Sequence, residues 1–141
     1  MDHRDGLVQA VDQRRHGKKT GDALGQRVGR GPGCLVRYDA ATLLSVDYWG
    51  GRGGLCAYFL THLHRDHIHN LTAGWVRGTI YTSAVNAALL RQAVPGLRAR
   101  VVALEVGETS LVELGGGGGG SGGEEGVRTV NVTPLNAGHC A

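Results

Sequence analysis

The chain has 141 residues, of which 41% are apolar and 5% aromatic, enough for one modest domain with a core and too few for two full domains. No run approaches the roughly 20 apolar residues of a membrane span, so a helical membrane protein is not expected. Lys and Arg number 15 against 12 Asp and Glu, a formal charge of +3. Residues 1–31 hold all of that excess, with Arg4, Arg14, Arg15, Lys18, Lys19, Arg27 and Arg30 against Asp2, Asp5, Asp12 and Asp22.

Residues 1–31 therefore read as a basic, disordered leader. The cluster Arg14, Arg15, Lys18 and Lys19 has an alternative use in nuclear import or in loose attraction to DNA phosphates. An apolar h-region is missing, and four acidic residues interrupt any amphipathic run, so neither a secretory nor an organellar presequence is expected. Cys34, Cys56 and Cys140 are odd in number and lack zinc-finger spacing. That usage suits buried thiols in a reducing compartment, with Cys140 lying near a functional site.

From residue 32 to 141 the pattern is that of one α/β domain. Cys34 to Tyr38 and Leu43 to Asp47 are apolar, β-compatible runs on either side of Asp39-Ala40-Ala41, which predicts a hairpin. Gly50, Gly51, Gly53 and Gly54 mark a loop, and no Lys-Ser or Lys-Thr pair follows to make it a phosphate cradle. Cys56 to Thr61 is a third strand and Thr79 to Thr82 a fourth. Ser83 is placed to cap a helix running to about Ala93, with Val85, Ala88 and Leu89 as its core face and Pro95-Gly96 as its stop. Val101 to Glu105 and Thr109 to Leu114 flank Val106-Gly107-Glu108 and predict a second hairpin. Residues 115–123, eight Gly and one Ser, form a flexible surface loop. Such lengthening costs only about 0.6 kcal/mol per doubling. Val127 to Thr133 then resumes the sheet and leads to His139.

The chemistry is concentrated in His62-Leu63-His64-Arg65-Asp66-His67, four possible metal ligands directly after the apolar strand. Imidazoles with a carboxylate suit zinc or a similar first-row ion. In extended backbone, residues two apart share a side, so His62 and His64 converge on one ion. Asp66 and His67, after a tight bend, face a second ion about 3.5–4 Å away. A pair of ions of this kind acidifies a shared water and clamps the oxygens of the group under attack, which is hydrolytic chemistry. The competing reading is a chance histidine tract that binds metal loosely; the strand Tyr58, Phe59 and Leu60 running into the motif counts against it. Arg65 is expected to point outward, and His69 to lie at the surface or behind a metal ligand, with contact to a substrate phosphate as its alternative.

Taken with Val46-Asp47-Tyr48-Trp49, Phe59-Leu60-Thr61-His62, Ile80-Tyr81-Thr82-Ser83, residues 103–108 and Ala137-Gly138-His139-Cys140, the motif resembles the DNA cross-link repair nucleases of the metallo-β-lactamase fold. The likeness is greatest to their 5′ exonuclease members and runs from about Leu43 to Ala141. It implies an αββα sandwich, of which this chain would be the N-terminal half. It also implies His62, His64 and His139 on one zinc, Asp66 and His67 on another, and Asp47 orienting the ligand loop by hydrogen bonds. Asp66, His67 and Asp47 would then serve catalysis. The implied substrate is DNA with 5′ ends and the implied location the nucleus, for a 5′-to-3′ exonuclease in cross-link or double-strand-break repair or telomere end processing.

Two departures from the family pattern matter. The family segment Asp-Ala-Asn-His-Cys-Pro-Gly reads Asn136-Ala137-Gly138-His139-Cys140-Ala141 here, without the later bridging Asp, so the second zinc site is incomplete. A truncated product with little catalysis of its own is the expectation. The glycine that usually follows the metal motif is also missing, and Asn70, which tolerates a left-handed backbone, is its expected replacement. Two other readings stand beside the nuclease. One is a thioester or lactone hydrolase of the same fold; the other is a non-catalytic binding fragment with one weak zinc, separable by metal stoichiometry.

Overall fold

The structure, a computed structural model, describes residues 9–10, 26–27, 31–40, 42–51, 55–115 and 128–138. The basic cluster Arg14 to Lys19, the glycine loop beyond Gly115, and His139 and Cys140 lie outside the described residues. The strands are β1 (Gln9–Ala10), β2 (Gln26–Arg27), β3 (Cys34–Arg37), β4 (Leu43–Val46), β5 (Leu55–Phe59), β6 (Ile80–Ser83), β7 (Val101–Leu104), β8 (Ser110–Leu114) and β9 (Arg128–Thr133), with one helix, α1 (Ala84–Ala93). They form a 6-stranded sheet in the order β2-β3-β4-β5-β6-β7 and a 3-stranded sheet β1-β9-β8.

Alternation along the strands decides the layering. Ala57 and Phe59 of β5 join Leu44, Val46, Tyr81 and Leu104 on one face of the large sheet, against Val112, Leu114, Val130 and Val132 of the small one. Tyr58 and Leu60 point the other way, with Ile80, into Trp49, Leu71, Trp75, Leu90 and Val94. The result is a helix layer, a mixed sheet and a second sheet, the α/β arrangement expected for three successive layers of an αββα sandwich.

The first hairpin forms as predicted, with Cys34 opposite Val46 and Arg37 opposite Leu43. Its turn is closed by the Tyr38 amide donating to the Thr42 carbonyl at 3.0 Å. β4 and β5 then pair parallel, joined only by residues 47–54. Within 1–31, Gln9 and Ala10 pair with Thr133 and Val132, and Gln26 and Arg27 pair with Leu35 and Cys34. Cys34 itself is half-buried against the intersheet core.

The second predicted hairpin does not form. β7 pairs parallel with β6, Ile80 opposite Val101 and Ser83 opposite Leu104, whereas β8 pairs antiparallel with β9. Leu104 and Val112 must meet face to face in the intersheet core, and strands side by side in one sheet cannot achieve that. The chain therefore changes sheets at a turn in which the Glu108 amide donates to the Glu105 carbonyl at 3.2 Å. Gly107, at φ 85°, supplies the left-handed bend. The helix also has a different phase from the predicted one. Val85 is 61% and Leu89 43% exposed, and Ala88 is exposed too, while Leu90 is wholly buried. Ser83 Oγ accepts from the Asn86 amide at 3.3 Å, and Asn86 Nδ2 donates to the Thr61 carbonyl at 2.8 Å. That anchor turns Asn86 and Leu90 toward the sheet and leaves Val85, Ala88 and Leu89 outward.

Candidate metal centre

Two strand ends build the site. The Asp47 amide donates to the Phe59 carbonyl at 2.9 Å, which sets the end of β4 beside the end of β5. Asp47 adopts φ 52°, a left-handed conformation that Asp tolerates better than most residues. Its carboxylate crosses to the β5 exit: Oδ1 accepts from the Thr61 amide at 2.8 Å, and Oδ2 from Thr61 Oγ1 at 2.6 Å. Oδ2 also meets His67 Nδ1 at 2.7 Å, with the Asp47 side chain only 3% exposed.

Thr61 organises the histidines as well. Its hydroxyl lies 2.9 Å from His62 Nδ1 and 3.3 Å from His67 Nδ1. The single hydroxyl proton goes to Asp47 Oδ2, an acceptor only, so the hydroxyl oxygen accepts from His62 Nδ1–H. His62 is then the tautomer with its Nε2 unprotonated, and that nitrogen sits 3.1 Å from His64 Nδ1. The chain bends next, with the amides of His67 and Ile68 donating to the His64 carbonyl at 2.9 and 3.2 Å. His67 thereby folds back over His62 with ring centroids 3.9 Å apart, while His62 and His64 are 4.5 Å apart. Asn70, at φ 70°, takes the left-handed position anticipated for it.

An aromatic brace holds the loop from behind. Trp49 Nε1 donates to the His67 carbonyl at 2.8 Å, and Trp75 Nε1 to the Trp49 carbonyl at 2.7 Å. Trp49, Tyr58 and Trp75 pack mutually, the Tyr58 and Trp75 rings edge to face at 4.8 Å.

The structure thus brings His62, His64, His67 and Asp47 into one cluster. Asp66 sits at its rim, its side chain 67% exposed and its carboxylate 3.9 Å from His67 Nε2. Arg65 and His69 are exposed, as anticipated, and His139 lies outside the described residues. Thr61, Trp49 and Asn86 were missed in the sequence, although Thr61 immediately precedes the motif.

The donor chemistry suits zinc in part. Asp47 accepts a hydrogen bond from the Nδ1–H of His67, which keeps the proton on that nitrogen and leaves Nε2 as a ligand nitrogen, the usual way a carboxylate prepares an imidazole for a metal. Two nitrogens on a tetrahedral ion with bonds of 2.0–2.1 Å stand roughly 3.3 Å apart, close to the 3.1 Å between His62 and His64. Among the described residues no group of three or more His, Cys, Asp or Glu side chains forms a metal cage. A groove of about 930 Å³ runs beside the cluster, lined by Asp47, Tyr48, Asp66, His69, Asn70 and Arg77 among others.

No protein-family model matches the chain. It is 36% identical over 101 residues to the 5′ exonuclease Apollo of Mus musculus, 70% of this chain and 17% of that protein. It is 32% identical over 133 residues to the DNA cross-link repair protein SNM1 of Arabidopsis thaliana, 87% of this chain and 24% of that one. Against the DNA cross-link repair protein pso2/snm1 of Schizosaccharomyces pombe it is 39% identical over 56 residues, 40% of this chain and 10% of that protein. The chain spans less than a quarter of the length of these curated relatives.

Proposed function

The chain belongs with the Apollo and SNM1 DNA cross-link repair proteins over the 70% and 87% of its length that align, and from that premise we propose that it carries the metal-ligand loop of a DNA-repair nuclease. The observation that supports the reading is the buried Asp47 carboxylate, which binds Thr61 and His67 at once and through them orients the histidines of the motif. His62, His64, His67 and Asp66 would hold zinc, with His139 as a further ligand. When bound, zinc would supply an acidified water and neutralise charge on phosphate oxygens. Asp47 and Thr61 hold protons at the Nδ1 atoms of His67 and His62, and the Trp49 brace fixes the loop's position.

The proposed substrate is DNA with 5′ ends, digested 5′ to 3′ in the nucleus, during cross-link or break repair or at telomere ends. A second reading draws on the small donor set among the described residues: a non-catalytic DNA-binding chain with one zinc. The test is a zinc-supplemented digestion of a 3′-labelled, 5′-phosphorylated single strand, alongside measurement of bound zinc. Shortening from the 5′ end that is lost in a His62→Ala/His64→Ala double variant supports the nuclease. One retained zinc without cleavage favours the second reading, and no zinc retention at all overturns both.

A further inference from the structure

The histidine cluster uses the C-terminal end of β5; the opposite end of the parallel strands carries a different chemistry. Arg77 precedes β6, and Arg98 and Arg100 precede β7. These three arginines line a cleft of about 330 Å³ together with Tyr58, Thr79 and Glu113. Its charge balance is three cations against one carboxylate. Among the described residues no ion pair joins any of the three guanidinium groups to a carboxylate.

The backbone holds these arginines in place. Ala99 packs inward on the helix-side core, so its neighbours Arg98 and Arg100, two residues apart, turn away from the core and are exposed. The Arg98 amide donates to the Ala73 carbonyl at 3.0 Å, and the Ile80 amide to the Arg100 carbonyl at 2.9 Å. Gly78 lies so close to Tyr58 that an added Cβ would stand 3.1 Å from the ring, which keeps the segment bearing Arg77 and Thr79 down on the cleft floor. Arg77 reaches over Gly51, where any side chain would displace its guanidinium group. It lines both this cleft and the groove beside the histidines. The two cavities therefore meet at one cation.

We propose that Arg77, Arg98 and Arg100 form a phosphate-binding cleft, separate from the metal loop and connected to it along the groove at Arg77. Guanidinium groups stay charged at any working pH and offer paired N–H donors that match two phosphate oxygens, so a phosphate group is the chemistry this cleft selects. Two sources carry such a group: a backbone phosphate of a nucleic-acid strand lying along the groove, or the phosphate of a free mononucleotide. Phosphate binding needs no catalysis at the histidines. Only a strand as its bearer rests on the function proposed above.

The test follows the arginine Nε–H signals of the full chain by nuclear magnetic resonance while adding a 12-nucleotide deoxythymidylate strand or AMP. Binding of the fluorescein-labelled strand is measured in parallel at several salt concentrations. If the strand is the bearer, it shifts the signals of Arg77, Arg98 and Arg100 and AMP displaces it poorly. An Arg98→Gln/Arg100→Gln variant, checked for folding by circular dichroism, then binds the strand about 10-fold more weakly. Its salt slope falls by about 1.4, roughly 0.7 for each lost single-strand phosphate contact. If a mononucleotide is the bearer, AMP saturates the shifts and the strand does not. The His62→Ala/His64→Ala variant keeps these responses in either case, so a failed nuclease leaves the cleft assignment standing. Arginine signals that neither probe moves, with variant and parent binding the strand equally, overturn it.

Discussion

Replacing Asp47 with Asn keeps the side-chain volume and the left-handed backbone, which both residues tolerate, and changes only the acceptor inventory. The carboxylate serves three donors: the Thr61 amide at 2.8 Å, Thr61 Oγ1 at 2.6 Å and His67 Nδ1 at 2.7 Å. A carboxamide has one oxygen: turned toward His67 and Thr61 Oγ1 it sets its NH2 against the Thr61 amide, and turned toward the Thr61 amide it sets its NH2 against His67 Nδ1 and drives that ring out of its Nδ1–H tautomer. Hydrogen bonds to a charged group are worth about 1.5–3 kcal/mol each, and the one remaining side-chain oxygen recovers part of what is lost. The expected destabilisation of the metal-free chain is about 2–4 kcal/mol, a large share of the roughly 5–15 kcal/mol that holds a small domain together. Zinc affinity should fall about 10- to 100-fold, because His67 loses the partner that sets its tautomer. Equilibrium urea unfolding without zinc measures the first effect and competition with a chromophoric chelator the second. A variant within about 0.5 kcal/mol of the parent, with zinc affinity intact, would refute the orienting role of Asp47.

The helix phase makes a prediction of its own: Leu90→Ala should cost about 2–5 kcal/mol in urea unfolding, and Leu89→Ala about 0.5 kcal/mol or less, since Leu90 is wholly buried and Leu89 43% exposed. The reverse order would place Leu89 on the core face and contradict the anchoring of Asn86. Tyr81 supplies a pH dependence. Burial raises its pKa above the ordinary 10.0, Arg100 opposes the rise and Glu113 adds to it. The native state thus holds the phenol proton more tightly than the unfolded chain. This contribution is fully present below pH 10.0 and is lost as pH climbs through the raised native value. Tyr81→Phe should cost about 1 kcal/mol at neutral pH through the lost bond to the Glu113 carbonyl and should flatten the decline in alkali. A steeper decline in the variant, read by urea unfolding across the alkaline range, would disprove the assignment.

Local features of the chain were legible in the sequence because their physics is local. The two-residue period that aligns His62 with His64, the left-handed tolerance of Asn70, the β3–β4 hairpin and the stop of α1 at Pro95-Gly96 all depend on neighbours within a few residues. Tertiary structure alone decided what depends on distant partners. Val85, Ala88 and Leu89 fit a helix face as well as Leu90 does, until Asn86 binds the carbonyl of Thr61, 25 residues earlier. β7 and β8 resemble the arms of a hairpin until the intersheet core requires Leu104 and Val112 on facing sheets. Asp47 becomes the hub of the histidine loop only when β4 and β5 lie parallel, and Arg77 lines one cleft with Arg98 and Arg100 only because the parallel strands β6 and β7 begin at the same end of the sheet. Periodicity names the side of the chain a residue faces; which surface arrives on that side is set by burial and hydrogen bonding between segments far apart in the sequence.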